Sequence, residues 1–134
     1  MRNRIIASFP NSVFENHNDS KIFIADFTKR TRSLRHVEVH TTQPQCPINT
    51  ATLMDCFEIM NSSNHDIEFN VFDDNQFKDA QGNDITHCEG CFYPSINHEG
   101  SWIVMLEIKD CSVRNMARYK KDVVDKIIKT TDVF

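Results

Sequence analysis

The chain has 134 residues, of which 40% are hydrophobic, ten of them phenylalanines, and 25% are charged. That is enough apolar material for one continuous core and too much for a disordered chain, so a single domain over residues 1–134 is expected. A net charge of −4 excludes a protein that coats nucleic acid non-specifically, because no overall field draws it to phosphate.

The N-terminus opens basic, Met1-Arg2-Asn3-Arg4, but its apolar run Ile5-Ile6-Ala7 stops at Ser8-Phe9-Pro10, far short of a secretory core. No stretch approaches the roughly 20 apolar residues that span a bilayer, so a cytoplasmic protein with no membrane partner is expected. Five cysteines, an odd number, predict thiols rather than a disulfide framework. Ile22-Phe23-Ile24-Ala25-Asp26-Phe27 and Val37-Glu38-Val39-His40 read as short strands. Between them Lys29-Arg30-Thr31-Arg32 with Arg35 reads as a basic surface loop, and Thr41 to Pro47 as connection.

Leu53, Phe57 and Met60 recur at helical spacing behind Asn49 or Thr50, either of which can cap. They predict a helix over about 49–60, stopped by Asn61-Ser62-Ser63-Asn64. Ile67 to Phe72 alternates apolar and polar residues as a half-buried strand does, and Asp73 to Asp84 is polar connection. Cys88 to Tyr93 and Trp102 to Lys109 are apolar runs separated by Ser95-Ile96-Asn97-His98-Glu99-Gly100-Ser101, the composition of a hairpin loop. Ser112 then opens a helix to about Thr130, with Val113, Met116, Val123 or Val124, and Ile127 as its apolar stripe. Its basic residues Arg114, Arg118, Lys120, Lys121, Lys126 and Lys129 form a cluster. The fold class is α/β in the α+β sense: a mixed sheet carrying a hairpin at 87–109, flanked by helices at about 49–60 and 112–130.

In Trp102-Ile103-Val104-Met105-Leu106-Glu107-Ile108-Lys109 both faces are apolar until Glu107, the pattern of a central strand. Alternation sends Glu107 and Lys109 to one face and Ile108 to the other. A hairpin turning about His98 pairs Tyr93 with Ile103, Cys91 with Met105, Glu89 with Glu107 and His87 with Lys109. Two carboxylates directly opposed are destabilising, and a divalent cation between them relieves the conflict.

An acid on one strand and Glu-x-Lys on the next, followed by a helix, resembles the PD-(D/E)xK nuclease superfamily of restriction endonucleases and Holliday-junction resolvases over roughly residues 67–130. The resemblance implies a restriction endonuclease-like core and metal-dependent phosphodiester hydrolysis. Glu89 and Glu107 would bind Mg2+ or Mn2+, the Ile108 carbonyl would complete the protein's share of the shell, and Lys109 would assist as the motif lysine. Glu58 is the candidate for the helical glutamate that some members add, and His87 for an assisting group. Arg114, Arg118 and Lys121 would meet nucleic-acid phosphates. Glu89 departs from the usual aspartate, and the family's fourth strand has no counterpart after Phe134. It would come from the N-terminal half, from a partner in a homodimer, or be lacking.

Two other readings belong beside this one. The same scaffold without catalysis would be a binding or interaction module, with Glu107 and Lys109 a strand-end ion pair. His87-Cys88-Glu89-Gly90-Cys91 contains a CxxC that could join a zinc site, provided the chain turns tightly at Glu89-Gly90.

Overall fold

A computed structural model describes residues 1–9, 12–27, 37–72, 81–83, 86–95, 102–108 and 113–132. In chain order the elements are α1 (Arg2–Ser8), β1 (Val13–His17), β2 (Lys21–Asp26), β3 (Val37–His40), β4 (Phe57–Met60), β5 (Ile67–Val71), β6 (Gly90–Pro94), β7 (Val104–Leu106), a 3-10 turn (Val113–Asn115) and α2 (Met116–Thr131). The strands form two sheets, one in the order β1-β5-β6-β7 and one in the order β3-β2-β4. Every pairing between these strands is antiparallel, so the sheets are not mixed as the sequence predicted. Among the described residues no helix lies between two strands, since α1 precedes β1 and α2 follows β7.

The alternation in Ile67-Glu68-Phe69-Asn70-Val71 explains the layering. Ile67, Phe69 and Val71 point to the three-stranded sheet, where they join Phe92 and Leu106 against Ile22, Ile24, Val37 and Val39. Cys91 and Tyr93 point the other way, to a second apolar cluster completed by Ile5 and Phe9 from the N-terminal segment and Ile127 of α2. Ala25 and Phe27 leave the three-stranded sheet on its outer side and are covered by Cys46 and Met54. Both helices therefore lie on one face of the four-stranded sheet, and the other sheet lies on the opposite face.

The predicted helix over 49–60 is replaced by a turn and a strand. Asn49 organises a single turn, its side chain accepting the Ala51 N–H at 3.2 Å and its carbonyl the Thr52 hydroxyl at 2.9 Å. The chain then bridges back, Gln45 to Leu53, and runs on as β4 against β2, with Ile22 opposite Ile59. Leu53, Phe57 and Met60, the residues that suggested a helix, are all exposed, whereas Met54 is buried and Ile59 packs on the core. Ladder bonds to β2 outweigh a three-residue periodicity. Asn61 secures the end of β4: its amide nitrogen donates to the Asp19 and His65 carbonyls at 3.2 and 2.9 Å, and its amide oxygen accepts the His65 N–H at 3.1 Å.

Trp102 to Lys109 was expected to be the central strand, but β7 is an edge of the four-stranded sheet, with Val104 38% exposed. The central strands are β5 and β6. Gly90 allows their close approach, because a Cβ there would run into the Asn70 carbonyl. The fourth strand of this sheet, β1, comes from the N-terminal half and pairs with β5 from Val13↔Val71 to His17↔Ile67. The basic loop 29–35, the hairpin tip 96–101, Lys109 and the Ser112 cap lie outside the described residues. None of the described helices is long and apolar enough to cross a membrane.

Candidate functional site at the β6–β7 end

The hairpin register agrees with the expectation: Cys91 stands opposite Met105, Gly90 opposite Leu106 and Phe92 opposite Val104. The paired register ends at Gly90↔Leu106, and the chain bends at Glu89 before the expected pairing with Glu107. The Glu89 N–H donates to the Leu106 carbonyl at 2.9 Å, one residue out of the Gly90↔Leu106 register. Glu89 Oε2 in turn accepts the Ile108 N–H at 2.9 Å, so this carboxylate is held against the backbone of the Glu-x-Lys segment. Ile108 packs on the inter-sheet core, which leaves Glu107 on the helix face with Ile103 and Met105.

The cation beside Glu107 comes from α2. Lys126 Nζ lies 2.6 Å from Glu107 Oε1, with the lysine side chain 20% exposed and the carboxylate 1%. Four residues on, Thr130 is fully buried; its hydroxyl accepts the Cys88 N–H at 2.8 Å and donates to the Lys126 carbonyl at 2.7 Å. Both side chains reach the sheet because Val123, Lys126, Ile127 and Thr130 follow the helical 3.6 period on its inward side. The sequence assigned Lys126 to a solvated basic cluster and passed over Thr130. The available signal was their position in the same stripe as Val123 and Ile127.

Of the predicted site residues, Glu89, Glu107 and Ile108 are brought together, and Lys109 lies outside the described residues. Glu58 stands on β4 of the other sheet, exposed, with its carboxylate 3.2 Å from Lys21 Nζ. The helix that would have aimed it at the site does not form. His87 is buried, its Nδ1 donating to the Cys88 carbonyl at 2.6 Å and its ring edge-on to Phe9 and Phe72 at centroid distances of 5.3 and 6.2 Å. Arg114, Arg118 and Lys121 are exposed on the outward side of the C-terminal helical segment.

The CxxC segment bends at Glu89 and enters β6 at Gly90 rather than forming a tight turn. That bend puts Cys88 and Cys91 in one apolar cluster, although strict alternation would have separated them. Burial pushes the Cys91 thiol up to about 12 and raises Cys88 as well, so both are held as neutral thiols. On the same face Tyr93 donates to Glu68 Oε1 at 2.6 Å, and burial followed by this bond raises its phenol. Among the described residues no three His, Cys, Asp or Glu side chains gather as a metal-binding group.

Two carboxylates lie at this end of the hairpin, Glu89 on the Ile108 N–H and Glu107 on the Lys126 ammonium. Oxygen donors of that kind and number fit magnesium, which is commonly held by one or two carboxylates with water and substrate oxygens completing the shell. Comparison with protein-family models, curated proteins and solved structures found no match.

Proposed function

We propose that the chain is a divalent-metal-dependent phosphodiesterase of nucleic acid, acting at Glu89 and Glu107. The observation that supports this reading is that Glu89 Oε2 accepts the N–H of Ile108, the residue that follows Glu107. Glu89 and Glu107 would hold Mg2+ or Mn2+ with the Ile108 carbonyl. When bound, the ion supplies charge stabilisation at a phosphate and a more acidic water. Glu89 is kept in place by the Ile108 N–H, so its position does not depend on a ligand. Lys126, from the following helix, balances the charge of Glu107. Arg114, Arg118 and Lys121 would take neighbouring phosphates along the strand being cleaved.

The test is thermal unfolding with Mg2+ or Mn2+ titrated in, alongside cleavage of DNA and RNA. The melting temperature should rise with metal and cleavage should require it, and Glu107→Ala should abolish both. Absence of both responses in the wild-type chain ends the proposal.

A second reading, a non-catalytic binding module on this scaffold, is supported by the contact of Lys126 with a carboxylate only 1% exposed. On that reading Glu107 anchors α2 and performs no chemistry. Nucleic-acid binding that is equal in wild type and Glu107→Gln, depends on Arg114 and Arg118, and occurs without cleavage would favour it.

A further inference from the structure

Among the strands at sheet edges, β1, β7, β3 and β4, the last is the least guarded. Edge strands resist pairing with another chain by carrying charge, proline or a bulge, or by being very short. β1 carries Glu15 and His17, β3 carries Glu38 and His40 joined at 3.1 Å, and β7 has only three residues. β4 reads Phe57-Glu58-Ile59-Met60, and its one charge is already met by Lys21 Nζ at 3.2 Å. Phe57 and Met60 are 53% and 65% exposed. The ladder also fixes which backbone groups are free. The Asn61 N–H donates to the Ser20 carbonyl at 2.9 Å, so bonded pairs to β2 recur at every second residue, at Ile59 with Ile22 and at Phe57 with Ile24. The N–H and C=O groups of Glu58 and Met60 therefore point away from β2, and among the described residues no strand pairs on that side.

We propose that a second copy of the chain completes this edge, β4 pairing antiparallel with the partner's β4 so that the two three-stranded sheets become one continuous sheet. This inference does not rest on the metal-site reading above. A two-fold axis normal to the sheet sets one residue of the strand opposite its own copy. Centred on Glu58, the axis would oppose two carboxylates directly, which is destabilising. Centred on Ile59, it sets Glu58 opposite the partner's Met60, and each of the two symmetric pairs exchanges both of its free backbone bonds. Glu58 keeps its own Lys21, so the seam carries no unbalanced charge. Phe57 shares the inter-sheet face with Ile59, since they pair with Ile24 and Ile22 of that core, and it lies diagonal to the partner's Ile59, within an aromatic ring's reach. The exposure of Phe57 shows that the four-stranded sheet stops short of this flank and leaves room there. A copy is favoured over an unrelated strand because the seam is self-complementary: apolar side chains meet on one face, and on the other each carboxylate faces a methionine.

The test is sedimentation equilibrium of the full chain across a concentration series, in the wild type, in Met60→Glu and in Glu58→Lys combined with Met60→Glu. The wild type should approach the mass of two chains. Met60→Glu opposes like charges at both symmetric pairs and should weaken association about tenfold. Met60 is exposed beside Lys21 on the outer side of the sheet, so this variant should keep the wild-type circular dichroism spectrum. The double variant makes each opposed pair oppositely charged and should restore association. A wild type that keeps the mass of one chain at every concentration overturns the proposal and leaves the edge to a strand of another protein. A dimer that Met60→Glu does not weaken, or that the double variant does not restore, also overturns it, because the contact then lies elsewhere or in another register. Hydrogen exchange gives an independent reading. The Glu58 and Met60 amides should be protected in the dimeric wild type and open in Met60→Glu, whereas the Ile59 amide is protected in both. Equal exchange of Glu58 and Met60 in the two proteins overturns the pairing through β4.

Discussion

Towards β2 and β3 the four-stranded sheet presents Ile67, Phe69, Phe92 and Leu106, whereas towards the helices it presents Glu68, Asn70, Tyr93 and Glu107 among Cys91 and Met105. Across β5, β6 and β7 the first face needs only volume and complementary shape, and its polar residues, Glu15 and His17, come from the flanking β1, with the His17 ring 5.7 Å from Phe69. The second needs partners, and they come from far along the chain: Arg2 lies 3.9 Å from Glu68, Lys126 pairs with Glu107, and Thr130 takes the Cys88 N–H. Strand alternation thus separates a face that stabilises the fold from one that carries its polar chemistry.

The comparison breaks if the inter-sheet face is not the main source of stability. Phe69 is 1% exposed at the centre of that face, with its ring stacked 5.2 Å from Phe92. Phe69→Ala should therefore cost about 3–5 kcal/mol in urea unfolding, the largest of the effects considered. A cost near 1 kcal/mol would mean that the two sheets are not packed through this residue. On the helix face, Lys126→Met leaves the Glu107 carboxylate buried without its cation and should cost about 3 kcal/mol. Removing both partners, in Glu107→Leu with Lys126→Met, should recover most of that loss. If the double variant is as unstable as the sum of the singles, the ion pair does not act as a unit.

The inter-sheet face was readable because its signal is local. The alternation from Ile67 to Phe72 and the short apolar runs at Ile22 and Val37 predicted three strands, and the turn about His98 predicted the hairpin register from Cys91↔Met105 outward. Residues 49–60 misled because Leu53, Phe57 and Met60 mimic a helical stripe, while a strand in β2 decides the pairing from a distance. No local pattern marks Val13–His17 as the neighbour of β5 or Arg2–Ser8 as a helix covering Cys91. The site was half readable for the same reason. Alternation along β7 puts Glu107 on the face opposite Ile108, but the bend at Glu89 is not legible in an alternating pattern, and Lys126 reaches Glu107 only through the packing of a whole helix.

Alkaline pH acts on the helix face, where the Cys91 thiol and the Tyr93 phenol are buried. Cys91, on the helix face, keeps its proton up to about 12 because burial penalises the thiolate. The unfolded chain releases that proton from about 9 upward. Stability from this group is therefore complete below about pH 9 and falls as pH rises towards about 12. Tyr93, also raised, adds to the same slope. Cys91→Val should flatten the decline in urea midpoint between about pH 8 and about pH 10.5, leaving the parts due to Cys88 and Tyr93. An unchanged slope would mean that Cys91 does not contribute to the alkaline loss.

Asn70 supplies the smallest effect and the most discriminating sign. It is fully buried in β5 on the helix face, and among the described residues its side chain makes no well-formed hydrogen bond, although it interacts with the Tyr93 hydroxyl on the same face. An unsatisfied buried amide costs about 1–3 kcal/mol, so Asn70→Leu, similar in size, should stabilise the chain by about 1 kcal/mol in urea unfolding. The same substitution should leave the binding of manganese unchanged, because Asn70 stands opposite Cys91, two residues from Glu89 along β6 and a strand away from Glu107. A loss of stability would instead mean that the amide satisfies itself in solution, for which an internal water would be the simplest donor and acceptor. The helix face would then be polar by construction along its whole length, and not only at its Glu107 end.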